Sequence, residues 1–234
     1  MRTKKLIRRT FSIKETNCTI ISECETAISA AISAIKYHRE KLERYITNHP
    51  EFLYTLSPLH VDKGPKVVRR MSEVSEKADV GPMAAVAGVL ADLAVEEMLQ
   101  TGCKVAVVEN GGEVSAVSDV PIDIALVAGN HPLSKSIGFK LEEFPIGVAT
   151  SSALFSHALS FGEAEAVTVF ASNAGLADAV ATAVGNMVKG DYVDYIIKRA
   201  VEKAISVEGV KGVLIIWRNT IGLGGQIPKL ISIK

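Results

Sequence analysis

An aspartate and a threonine four positions apart, Asp178 and Thr182, sit in the alanine-rich stretch LADAVATAVGN. Residues at i and i+4 share one face of a helix. A carboxylate and a hydroxyl on that face can address one hard cation or one phosphate oxygen. Just upstream, GVATSSALFSHALSFG supplies a small-residue turn, Thr150-Ser151-Ser152, and then the pair Ser156-His157. An imidazole there can carry a proton or hold a ligand. A hydrolytic triad is not expected: no G-x-S-x-G elbow surrounds these serines, and adjacent residues on a strand point to opposite faces. Ser156 and His157 therefore stand as candidate catalytic groups of a ligand pocket. The competing reading of Asp178 is a capping or surface aspartate near Asn173.

Two further segments could contribute backbone to the same pocket. Asn110-Gly111-Gly112-Glu113 ends an apolar run in a Gly-Gly turn, where glycine permits close approach of a ligand and aims N–H groups at it. A plain hairpin turn is the alternative. Gly81-Pro82-Met83-Ala84 opens a helix, with proline suited to the first turn and free N–H groups able to hold an anion. Close helix packing is an equal explanation of those small residues.

The elements that must position these groups can be read from periodicity. Residues 4–13 and 17–23 alternate as a β-hairpin about Glu15-Thr16-Asn17, and apolar residues at Ile28, Ala31, Ile32, Ile35, Leu42 and Ile46 predict a helix from Glu25 to about Asn48. Residues 50–80 are broken by Pro50, Pro58, Gly64 and Pro65 and read as irregular. A helix apolar nearly all round is predicted over 83–100, so most of its faces must be covered. Strands follow at 104–109, 113–117 and 122–128, then a loop to Pro145 with one short strand, and a strand at 166–171. Helices at 175–188 and 192–205 precede closing strands at 213–217, 221–224 and 230–233. Strands in adjacent pairs argue for an α+β fold with a mainly antiparallel sheet. The absence of a linker or repeat predicts one compact domain over residues 1–234.

Composition narrows the function classes. The 234 residues are 48% hydrophobic and carry a formal net charge of zero. That argues against a basic nucleic-acid surface. The most apolar stretch, 82–95, is too short to span a bilayer and contains Asp92, so no membrane partner is expected. Three cysteines, Cys18, Cys24 and Cys103, match no zinc spacing and read as ordinary thiols of a cytoplasmic protein. A homo-oligomer remains open.

Taken in order, DVGPMAAVAG, ENGGE, GVATSS, SHALSFG and LADAVATAVGN resemble the ApbE proteins and, more closely, an uncharacterised ApbE-related family, over residues 65–190. ApbE proteins are flavin transferases that split FAD and attach FMN to a protein threonine with a magnesium ion. The resemblance implies a T-fold-like architecture, magnesium at Asp178 and Thr182, and a site role for His157. It implies FAD or FMN, or another phosphorylated small molecule, as the ligand. Two departures stand in the chain: Ala84-Ala85-Val86 where the family carries a lysine, and Ala158-Leu159-Ser160-Phe161-Gly162 after the histidine. With no lysine between Lys77 and Lys104, Arg69 and Arg70 are the cations expected to reach a phosphate, and flavin transfer is expected to be slow or absent. A non-catalytic flavin- or metabolite-binding protein is the alternative to an enzyme.

Overall fold

A computed structural model describes residues 5–129, 131–152 and 162–233. Eight strands form one sheet in the order β1 (Ile7–Ile13), β2 (Thr16–Ser22), β3 (Val105–Asn110), β4 (Glu113–Ser118), β7 (Ile146–Ser151), β8 (Ala166–Ala171), β9 (Val210–Trp217) and β10 (Thr220–Gly225). Three more, β11 (Lys229–Ser232), β6 (Ile137–Leu141) and β5 (Ile122–Ala125), make a small sheet in that order. Neighbouring strands in both sheets run antiparallel. The α+β expectation holds.

Strand β8 shows why the large sheet needs two covers. All six of its residues are buried. Val167, Val169 and Ala171 pack into the helical core, whereas Ala166 and Phe170 pack with Phe139 and Leu141 of the small sheet. Helices cover one face: α1 (Glu25–Asn48), α4 (Val86–Gln100), α5 (Ala174–Met187) and α6 (Val193–Ser206). A short helix α2 (Glu51–Tyr54) follows α1, and α3 (Lys66–Ala78) lies against α5, α4 and α1. Among the described residues no single helix is long and apolar enough to cross a membrane.

Three differences from the sequence reading have physical causes. Residues 66–78 are a regular helix where an irregular segment was expected. Pro65 ends the break rather than extending it, because proline is tolerated just before a first helical turn, and Val67, Val68, Met71, Val74 and Ala78 then form a buried stripe. Thr150 and Ser151 lie in β7 rather than in a turn; Ser151 is small because α5 lies over it, while Thr150, on the opposite face, pairs with Thr168 of β8. The first hairpin turns at Lys14-Glu15, one residue early, because Lys14 takes the left-handed conformation at φ 51°.

The closest backbone approach useful to the site is the crossing of α4 and α5. A Cβ added to Gly88 would fall 2.3 Å from the Ala174 carbonyl oxygen, and one added to Gly175 would fall 2.5 Å from Val89 Cγ2. Only hydrogen fits at either position. Gly88→Ala is expected to destabilise the fold by about 3 kcal/mol, because the clash is with backbone and not with a flexible side chain. Urea unfolding of parent and variant measures it; a difference below about 1 kcal/mol would show that the helices can separate at little cost.

Candidate functional site

The crossing positions two carboxylates. Asp92, on α4, accepts the Ala174 and Gly175 N–H groups at 2.9 and 2.8 Å and the Ser115 hydroxyl at 2.7 Å. Asp178, on α5, accepts the Gly88 N–H at 3.0 Å. Each helix thus supplies the anion that closes the other's amino end, where backbone N–H groups lack helical partners and the dipole is positive. Asn173 completes the α5 start by accepting the Leu176 N–H at 2.8 Å. The capping reading of Asp178 was therefore partly sound, but the helix it caps is α4.

Strand β3 brings a third group to the same turn. Asn110 donates its amide to the Ala87 carbonyl at 3.0 Å, and Glu113 is its cross-strand partner across the hairpin. The segments around Gly88, Asn110 and Asp178, distant in sequence, meet at Ala87-Gly88. Glu113 and Asp178 keep some contact with solvent while protein crowds their carboxyl ends, the situation of groups at the bottom of a recess. Burial pushes the Asp178 carboxyl up to about 7, and the neighbouring Asp92 charge adds to the rise against the Gly88 hydrogen bond. Glu113 is raised well above the usual carboxylate range, by burial first and by the Asp178 charge second. Asp92 is raised too, by burial, against its hydrogen bonds and the charge of Arg70. Among the described residues, no basic side chain acts on Asp178 or Glu113.

The remaining sequence candidates fall in different places. Thr182 lies one turn beyond Asp178 on α5 and is half-buried. Thr150 pairs its hydroxyl with that of Thr168 at 2.9 Å. Ser151 faces Gly185, farther along α5, with its hydroxyl 3.3 Å from where a Cβ there would stand. Ser152 is buried. Gly111 and Gly112 form the exposed two-residue turn between β3 and β4 at φ 69° and 120°, a backbone that favours glycine. Gly81 is buried, and a Cβ on it would lie 2.0 Å from the Thr55 carbonyl oxygen, so close packing explains it. Ala84 packs against the helical core. Arg69 is exposed on α3. Arg70 is ion-paired with Glu96 at 2.9 Å and lines a cavity of about 240 Å³ with Glu73, Val74, Val89, Asp92 and Asn173. Ser156 and His157 lie outside the described residues.

Asp92 and Glu113 were missed as site residues. Each left a signal: an aspartate inside an otherwise apolar helix, and a glutamate directly after a Gly-Gly turn.

Comparison with known proteins places this geometry. The sequence family described as AbpE bacteria matches residues 1–210. A UPF0280 protein of Methanococcus vannielii is 40% identical over 232 residues, covering 97% of this chain and 94% of its own. One from Methanopyrus kandleri is 39% identical over 226 residues, covering 95% and 92%. Among solved structures, the flavin transferase ApbE from Vibrio cholerae superposes with a TM-score of 0.59 at 13% identity over 97% of both chains. The ApbE protein from Thermotoga maritima gives 0.62 at 15% identity over 90% of this chain and 94% of its own. At such identities the likeness is one of fold, and it agrees with the expected ApbE-like architecture.

The raised carboxyls set a pH dependence. A carboxyl whose pKa rises on folding stabilises the fold below its unfolded value and loses that contribution as the pH climbs through its folded value. For Asp178 the window runs from about 4 in the unfolded chain to about 7 in the folded one. In chelator the protein should therefore lose stability between about pH 4 and pH 7, and Asp178→Asn should flatten that slope. Urea midpoints across the range test this; equal slopes in parent and variant would contradict it.

Proposed function

We propose, for a chain that belongs to the AbpE bacteria family, that the recess at the α4–α5 crossing binds a phosphorylated small molecule together with a divalent cation, with a flavin nucleotide and magnesium as the specific case. The observation that carries this reading is the pair Asp178 and Glu113, two carboxyls raised by burial, Glu113 further by the Asp178 charge, with no basic side chain among the described residues acting on either. A bound cation stabilises the ionised form of both.

The donor set suits magnesium that shares its coordination with a ligand. Magnesium commonly takes one or two carboxylates, substrate phosphate oxygens and water, rather than an all-protein cage. The described residues contain no group of three or more His, Cys, Asp or Glu side chains arranged to hold an ion. Asp178 and Thr182 would hold the ion, with Glu113 beside them. Such an ion neutralises phosphate charge and polarises a P–O bond. The chain's own contribution is positional: Gly88 and Asn110 fix the Ala87-Gly88 turn against Asp178. Arg70, at the cavity next to Asp92, is the cation offered to a phosphate.

A second reading, binding without flavin transfer, rests on the helix start Ala84-Ala85-Val86, which offers no lysine charge to a transferring phosphate. Incubation with FAD and magnesium followed by analysis for AMP and FMN separates the two.

The binding claim has a direct test by calorimetry and thermal shift with FAD and FMN, with magnesium and with chelator. Binding is expected to require magnesium and to be lost in Asp178→Ala. A ligand at a hundred times its dissociation constant adds about 2.7 kcal/mol to stability. Equal binding in chelator, or by a folded Asp178→Ala variant, would contradict the assignment.

A further inference from the structure

Away from the recess, two thiols meet where α1 begins and α4 ends. Cys24 precedes α1 directly, and Cys103 lies between the end of α4 and the start of β3. The β2–β3 ladder ends at Ile21↔Val107. The Glu23 carboxylate holds the two chains together there, accepting the Lys104 N–H at 2.6 Å and the Val105 N–H at 3.0 Å. Cys24 packs against the buried cluster that contains Cys103, and the Ser22 and Thr101 hydroxyls interact with both thiols. Cys24 follows Glu23 directly and Cys103 precedes Lys104 directly, so the Glu23–Lys104 hydrogen bond brings the two cysteines to neighbouring backbone positions on the side of this one cluster.

We propose that Cys24 and Cys103 form a reversible disulfide, installed by a peroxide and removed by a dithiol, that clasps the start of α1 to the end of α4. Cys24 is suited to react first. It is half-exposed, whereas Cys103 is buried and donates to the Met98 carbonyl at 3.2 Å. The Thr26 hydroxyl, 3.4 Å from the Cys24 sulfur, and the Ala27 amide stabilise its thiolate and lower its pKa, while burial raises that of Cys103. The Cys24 thiolate attacks one peroxide oxygen; the O–O bond breaks, the other oxygen leaves as water, and Cys24 becomes a sulfenic acid. The Cys103 thiolate then attacks that sulfur. The S–O bond breaks, the S–S bond forms and a second water departs. The two thiols lose two electrons between them and one peroxide is reduced to two waters. Cys18 cannot substitute. It is buried, its thiol is pushed up to about 12, and it stands six positions before Cys24, about 20 Å along an extended chain.

The experiment treats the folded chain with hydrogen peroxide, removes the peroxide, unfolds the chain in denaturant, blocks remaining thiols with a maleimide and maps peptides without reduction. The expected result is a Cys24–Cys103 cross-linked peptide, a Cys18 that still takes maleimide, and recovery of both lost thiols by dithiothreitol. Cys24→Ser should leave Cys103 reactive towards maleimide. Cys103→Ser should stop at a Cys24 sulfenic acid that dimedone captures. Circular dichroism checks that each variant folds, and the map of the parent decides alone if one does not. Thiols left intact by peroxide, a link to Cys18, or a link between two chains would overturn the proposal.

Discussion

Each of two helices has its amino end closed by a carboxylate that the other helix carries. Asp92 of α4 takes the first N–H groups of α5, and Asp178 of α5 takes the Gly88 N–H of α4. This arrangement needs the helices to cross almost backbone to backbone, which Gly88 and Gly175 permit. It also fixes the register between them, since sliding either helix by one residue would move a carboxylate away from the N–H groups it serves. Backbone donors left unpaired inside a core cost about 1–3 kcal/mol each, so the crossing is held by what its loss would expose as well as by apolar packing.

The same constraint makes the recess chemically unusual. A carboxylate that caps a helix start is normally stabilised by the dipole and its hydrogen bonds. Here burial outweighs both, and Asp92, Glu113 and Asp178 all have raised pKa values. Among the described residues, Arg70, acting on Asp92, is the one basic group that brings its charge to these three. Asn110 and Glu113 come from the end of the β3–β4 hairpin, so the sheet and the helical layer meet at the Ala87-Gly88 start of α4. The fold, shared with ApbE structures at low identity, supplies the scaffold on which these groups meet.

Periodicity exposed the large elements. The Ile28-to-Ile46 stripe announced α1, and the apolar run at 166–171 announced a strand buried on both faces. Helix α3 was hidden because the prolines and glycine before it dominate a local reading, while its buried stripe has meaning only against α4 and α5. Strand β7 was hidden because Thr150 and Ser151 are small and polar, a turn signal in isolation; Ser151 is small because α5 lies over it, and Thr150 pairs across the sheet with Thr168. Asp178 was legible from its spacing to Thr182. Its partner Gly88 was not, since a contact spanning ninety positions leaves no local pattern. Asp92 was visible as an anomaly in an apolar helix, but its role depends on a helix more than eighty residues away.

The central claim is that Asp178 stands at a cation-accepting recess and does more than cap α4. The most direct measurement follows the Asp178 carboxyl carbon by NMR through a pH titration, first in chelator and then with magnesium and FMN. The account predicts a midpoint near 7 in chelator that moves down when magnesium and FMN are present, because a nearby cation favours the ionised form. A midpoint that stays in place under saturating magnesium and FMN would contradict it and leave Asp178 as a helix cap alone.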